Sequence, residues 1–272
     1  TCLVYKSSLE VLYYLNIADY KSVIKSSELI LNEFGIRKGA YSAHYQFFLT
    51  KLGIAQMAIG QYDESYNNFR KVEKYVPPQS FNDYLLRLYQ TINALHSGNY
   101  QLAYILYRRS RKCRFESIRQ QFAIIEAYIC FLSHMGFLQL NHIFRLGKYL
   151  NDTIKSQANK QGENIAILIA ELLIYFARDR GKYIDRIEAI KNYTYRHLKG
   201  KDTERAKRFI KILCNLPHLN FHPEALNRHM ERHVQYLKDN PIQIGENVTF
   251  VEFIPFEKLL DMIISKLERK AI

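Results

Sequence analysis

The residues that look most capable of chemistry lie late in the chain, in the stretch PHLNFHPEALNRHMERH. His229 and His233 stand four apart, so a helix puts them on one face, with Glu231 between them and His218 and His222 ahead. Zinc hydrolases place Glu directly after the first His of such a pair. Here Glu231 comes two residues after His229 and falls on another face, so the hydrolase pattern is not met. Two histidines and a third ligand such as His222 could at most hold a metal weakly, and surface or packing roles are the expectation. Neither a metal nor a cofactor is expected. No glycine-rich phosphate loop and no G-x-S-x-G elbow occur. Glu126 and Glu171 cannot be matched as an acid–base pair, since packed helices stand about 10 Å apart. The chain is expected not to be an enzyme.

The four cysteines, Cys2, Cys113, Cys130 and Cys214, are widely spaced and form no C-x-x-C pair. Neither a disulfide framework nor a cysteine zinc site is expected, which suits a reducing, cytoplasmic setting. The opening residues lack a basic flank followed by a clean apolar run. The longest apolar stretch, Ile165–Ala177, carries Glu171 and falls short of the ~20 residues of a membrane span. The first residue is Thr, and an effector domain upstream of it is an expectation.

The formal charge is +13 over 272 residues. Residues 101–160 hold 10 Lys and Arg against 3 Asp and Glu, and residues 161–215 hold 12 against 7. The densest run is Arg108, Arg109, Arg111, Lys112 and Arg114; a second is Arg196, Lys199, Lys201, Arg205, Lys207, Arg208 and Lys211. Such runs attract phosphate backbones or acidic proteins, or simply keep a helix face solvated. No exposed aromatic interleaves them along the chain, which weakens the nucleic-acid reading.

The elements that must carry these residues are helical. With only 11 Gly and 6 Pro, the chain is poor in turns. One segment, LGIAQMAIGQYDESYNNFRKVEKYVPP (residues 52–78), shows the unit: an apolar helix, Gly60 at its left-handed end, Tyr62, a second amphipathic helix, then Pro77 and Pro78. The turn recurs with Gly98 and Tyr100, Gly136 and Leu138, Gly181 and Tyr183, and, without glycine, Ala18 and Tyr20. The expected helices span 2–15, 19–34, 41–59, 62–75, 81–97, 99–112, 115–135, 138–150, 162–179, 182–198, 202–214, 223–238 and 255–269. Residues 247–254 alternate like a strand and are read as an extended stretch packed on the last pair.

Leu52, Gly53, Ala55, Gly60, Tyr62, Ser65, Phe69 and Pro77 resemble the tetratricopeptide repeat, closely in residues 41–78 and degenerately elsewhere. The turns are 38–45 residues apart, against the 34 of that family. The resemblance implies an all-α, right-handed solenoid of five to six antiparallel helix pairs, with repeats over 1–214 and a helical cap over 215–272 in the same domain. It implies an interaction scaffold, such as the regulatory or sensor part of a longer protein, with first helices lining a peptide groove. Register from the turns assigns to that groove Phe47, Thr50, Ile54, Met57, Leu85, Leu88, Ile92, Leu95, Glu126, Cys130, Ser133, His134, Glu171, Tyr175 and Arg178, apolar first and acidic later. The Lys and Asn residues of the chaperone-binding carboxylate clamp are absent from these positions. The expected partner is a protein or peptide, with self-association as an alternative occupant of the groove, nucleic acid on the basic stretch 101–215 as the second reading, and no membrane.

Overall fold

The computed structural model describes residues 2–35, 42–140, 146–147, 161–198, 200, 203–242 and 252–271. Among them lie twelve helices and no strand: α1 (Cys2–Asn16), α2 (Tyr20–Gly35), α3 (Ser42–Ala58), α4 (Tyr62–Glu73), α5 (Phe81–Ser97), α6 (Tyr100–Ser110), α7 (Glu116–His134), α8 (Gln161–Arg178), α9 (Arg180–His197), α10 (Glu204–Asn215), α11 (Pro223–Asp239) and α12 (Phe256–Ala271). No described helix is long and apolar enough to cross a membrane. The chain divides into two compact units, Thr1–Phe122 with Ile242–Val248, and Ala123–Pro241 with Thr249–Ile272. The division falls inside α7.

In the first unit each helix from α1 to α6 packs on the next, and α1 also touches α3 and α3 touches α5. The turns that fold the helices back on each other share one geometry. Ala18, Gly60 and Gly98 all have φ between 57° and 88°, and Gly136 of the second unit has φ 87°. The amide of each turn residue donates to the carbonyl three residues back, as from Gly60 to Met57. At three of them the next amide donates five back: Asp19 to Tyr14, Gln61 to Gln56, Phe137 to Leu132. This double bond satisfies helix-end carbonyls that would otherwise be orphaned. The left-handed backbone favours glycine, and Ala18 adopts it at a steric cost.

Gly181 departs from this set. It sits inside the first turn of α9, whose N-cap is Asp179, with the Lys182 amide donating to the Asp179 carboxylate at 3.1 Å. The turn before α9 is therefore built by a capping carboxylate, and the expectation of a glycine turn at Gly181 is corrected. No helix begins at Leu138 either, since residues 138–140 are irregular; the rest of the expected helix 138–150 lies almost wholly outside the described residues.

Close packing of α3 and α4 depends on Gly53. A Cβ there would stand 2.6 Å from Phe69 Cε1. Without it, α4 approaches closely enough for the Ser65 hydroxyl to donate to the Gly53 carbonyl at 2.7 Å. The Asn68 amide donates to Gln56 Oε1 at 2.8 Å beside it. On its other side α4 is tied to α5, through Gln90 Nε2 to Glu73 (2.7 Å) and Asn93 Nδ2 to the Tyr62 carbonyl (2.9 Å). Buried amides must be paired or pay desolvation, so these bonds set the register of three helices.

In the second unit α8 packs on α9, α9 on α10, α10 on α11 and α11 on α12, and α8 also touches α10. Its centre is a charged clasp. Arg205 at the start of α10 donates to both carboxylate oxygens of Glu252 (2.7 and 2.8 Å), to Glu257 (2.9 Å), and to the Leu237 and Asn240 carbonyls that end α11. Glu252 also accepts from the Phe256 amide, capping α12, and Phe256 stacks on Phe209 at 4.4 Å. Phe253 and Ile254 are fully buried, with Phe253 against Tyr128 of α7. Of the strand-like segment 247–254, residues 247–251 lie outside the described residues, and 252–254 form no strand.

Candidate functional site

The structure buries much of the groove expected from the turn register. Ile54, Met57, Leu88, Ile92, Leu95 and Cys130 are core residues, and Glu171 is only 2% exposed. These seven assignments are corrected: none of these side chains offers a surface to a partner. The cause is that α3 and α5 are each enclosed by three or more helices, so their apolar residues face inward on most sides, and periodicity does not reveal the narrow side left open. Phe47, Thr50, Glu126, Ser133 and Tyr175 are half-buried, and His134 and Arg178 are exposed.

The open side of the first unit lies at another register. Tyr5, Phe47 and Leu85 each stand thirteen residues before a left-handed turn residue, and Leu9, Lys51 and Tyr89 each nine before. On α1, Tyr5 is 60% and Leu9 69% exposed; the other four are half-buried. Tyr5 meets His44 of α3 edge-on at 5.8 Å, and within α3 Lys51 lies over the Phe47 ring. Of these six, Phe47 and Leu85 were in the groove read from the sequence. The signal for the others was a constant offset from the turns combined with an apolar residue on α1 that packs on nothing in the hydrophobic pattern.

In the second unit, α7 and α8 gather several of the expected groove residues. Arg178 and Glu126 both act electrostatically on Cys130, and Arg178 and Lys266 act on His134. Lys266 donates to the His134 carbonyl at 2.9 Å. Partial burial, with those two cations, holds His134 below the ordinary histidine range. Glu171 pairs with Arg186 of α9 at 2.9 Å, and its second oxygen has no hydrogen-bond partner. Burial outweighs Arg186 and pushes the Glu171 carboxyl above its usual range. Glu171 is thus a structural ion-pair member.

The histidines of the late stretch do not converge. His218 faces Lys191 at 3.3 Å, His222 and His229 are exposed, and His233 contacts Arg208 at 3.4 Å. Burial, with Lys211 and Arg208 nearby, holds His233 below its ordinary value. Among the described residues no group of three or more His, Cys, Asp or Glu side chains is placed to hold a metal ion.

The two basic runs differ in what their side chains do. Arg208 donates to Glu204 at 2.8 Å and lies 4.0 Å over the Tyr236 ring, and Lys207 pairs with Glu204 at 3.7 Å; Lys211 is exposed. Arg205 is consumed by the clasp. In contrast Arg108, Arg109, Arg111, Lys112 and Arg114 are all exposed, and none has an ion-pair partner among the described residues. They follow one another from the last turn of α6 into the connection to α7.

Four rings lie beside this run in space, of which Tyr84 and Tyr104 are buried, Phe115 is half-buried and Phe81 is exposed. Arg108 lies over Tyr104 at 5.8 Å and Arg114 over Phe115 at 5.3 Å. Phe115 is met edge-on by Phe81 at 5.4 Å and by Tyr84 at 6.0 Å, with Arg87 over Tyr84. Phe81, at the first position of α5, remains 44% exposed.

Compared with protein-family models, curated proteins and solved structures, the chain matches none.

The described cysteines are poor nucleophiles. Cys113, Cys130 and Cys214 are buried and unpaired, and burial pushes the Cys130 and Cys214 thiols up to about 11. They are thiols rather than thiolates near neutrality. The exposed and half-exposed side chains include an apolar, partly aromatic strip on α1, α3 and α5 and a dense cationic run that follows it in sequence.

Proposed function

We propose that the chain is a non-enzymatic interaction scaffold, a tetratricopeptide-like solenoid whose first helices take a peptide or an amphipathic helix. The observation that carries this reading is the repeated rung: Tyr5 and Leu9, Phe47 and Lys51, Leu85 and Tyr89 recur at one offset from successive left-handed turns. Neighbour-on-neighbour packing in the first unit supports it, as do the turn spacings of 42 and 38 residues between Ala18, Gly60 and Gly98. Repeat arrays stack units in this way and use the surface so made to bind extended partners. Aromatic residues with a single nearby cation favour an apolar peptide with few charges.

The test is selection of peptides from a displayed random library on the immobilised chain, followed by binding to Tyr5→Ser and Leu9→Asp. Both side chains are largely exposed, so the fold is expected to survive. The selected peptides should lose at least tenfold in affinity to each variant, since central anchors contribute about 2 kcal/mol or more. Peptides that bind both variants as tightly as the parent would end this reading.

A further inference from the structure

We infer that the surface formed by Arg108, Arg109, Arg111, Lys112 and Arg114 with the exposed ring of Phe81 binds single-stranded nucleic acid. This is a site separate from the apolar strip and does not depend on the scaffold reading. Three observations carry it. The first is charge: from Gln101 to Phe115 there is no acidic residue, and the five cations have no ion-pair partner among the described residues. One or two basic residues suffice to complement a helix C-terminus. Five in seven positions repel one another and are stabilised when a polyanion meets them.

The second is the interleaving of rings and guanidinium groups. Phe81 stands perpendicular to Phe115 at 87° and keeps 44% of its surface exposed, and the Arg114 guanidinium carbon lies 5.3 Å from the Phe115 ring centre. Rings and guanidinium planes are the platforms on which unpaired bases stack. A duplex hides its base faces and an anionic lipid headgroup offers no ring to lay on Phe81, whereas every unpaired nucleotide brings one flat base with each phosphate. The third is rigidity. Arg87 pairs with Asp83 at 2.8 Å and donates to the Arg109 carbonyl at 3.3 Å, which ties the start of α5, where Phe81 sits, to the end of α6. The stacking platform and the phosphate-binding run are thereby held in one arrangement before any ligand arrives.

The experiment is fluorescence anisotropy of labelled, about 20-nucleotide oligo-U and oligo-dT against the whole chain over a salt series, a length that exceeds the site of one stacking module. Binding is expected at about 50 mM salt, weakening steeply as salt rises. The triple variant R111A/K112A/R114A should flatten the log–log salt slope by about 2, at about 0.7 for each phosphate that is no longer neutralised. Phe81→Ala should lose on the order of tenfold in affinity with the slope unchanged, because stacking releases no counterions. No oligonucleotide binding at low salt overturns the proposal. Duplex bound as tightly, with Phe81→Ala indifferent, overturns it in favour of bare phosphate attraction. Polyglutamate or phosphatidylserine vesicles bound with the same variant sensitivity, while the oligonucleotides are not, overturn it in favour of an acidic protein or a lipid surface. Circular dichroism of each variant confirms that the fold is kept; these side chains are exposed and pack on little.

Discussion

The two units solve the same problem, holding helices in register, with different chemistry. In the first unit the buried links are neutral for the most part: Ser65 to Gly53, Asn68 to Gln56, Asn93 to the Tyr62 carbonyl. They work because Gly53 lets the helices approach. In the second unit the central link is ionic, Arg205 gripping Glu252 and Glu257, with the buried Glu171 and the partly exposed Arg186 as a second pair. Neutral links ask little in desolvation and carry no pH dependence. Ionic links gain direction and reach but leave the structure exposed to any change that strands one partner.

The largest expected effect follows from that exposure. Arg205→Met strands the nearly buried Glu252 and should cost about 3–5 kcal/mol, read as a lowered urea midpoint by circular dichroism. A change below about 1 kcal/mol would mean that the clasp is no stronger than an exposed pair. Next is Gly53→Val, which drives a branched side chain into Phe69. Overpacking of this kind costs about 1–3 kcal/mol, and a neutral result would show that α4 can move away from α3 freely. The smallest effect concerns pH. The Glu171 carboxyl is raised in the fold, so its ionisation weakens folding; the stability it contributes is present in acid and is lost as pH climbs from the ordinary value of 4.5 through its raised value. Parent and Glu171→Gln should therefore be alike at low pH, with the parent losing ground to the variant as pH rises across that window. The opposite trend would show that Arg186 outweighs burial.

The helices and their turns were largely readable because both depend on short-range chemistry. Ala18 illustrates this: no glycine marks the turn, yet the spacing to Tyr20 placed it, and its φ of 57° matches the glycine turns. Gly181 shows the limit, since the same Gly-x-Tyr pattern lies inside a helix once Asp179 is free to cap it. The groove was misplaced where a helix is apolar on nearly all sides, as around Ile54 and Ile92, because the open side then depends on neighbours that the pattern does not name. Long-range partners were invisible in the same way. Nothing near Arg205 marks it as different from Arg208, and nothing near Arg114 announces Phe81.

The clasp also bears on how the chain acquires its structure. The buried links of the first unit join residues 12, 17 and 31 positions apart, whereas Arg205 reaches Glu252 and Glu257 across 47 and 52. Closing a longer loop costs more chain entropy before any contact repays it. The α3–α5 links are accordingly expected to form before the clasp, an order that φ-values at Ser65 and Arg205 would test. The clasp's interactions then belong to the native state more than to the folding barrier, so they set how slowly the second unit comes apart rather than how quickly it forms.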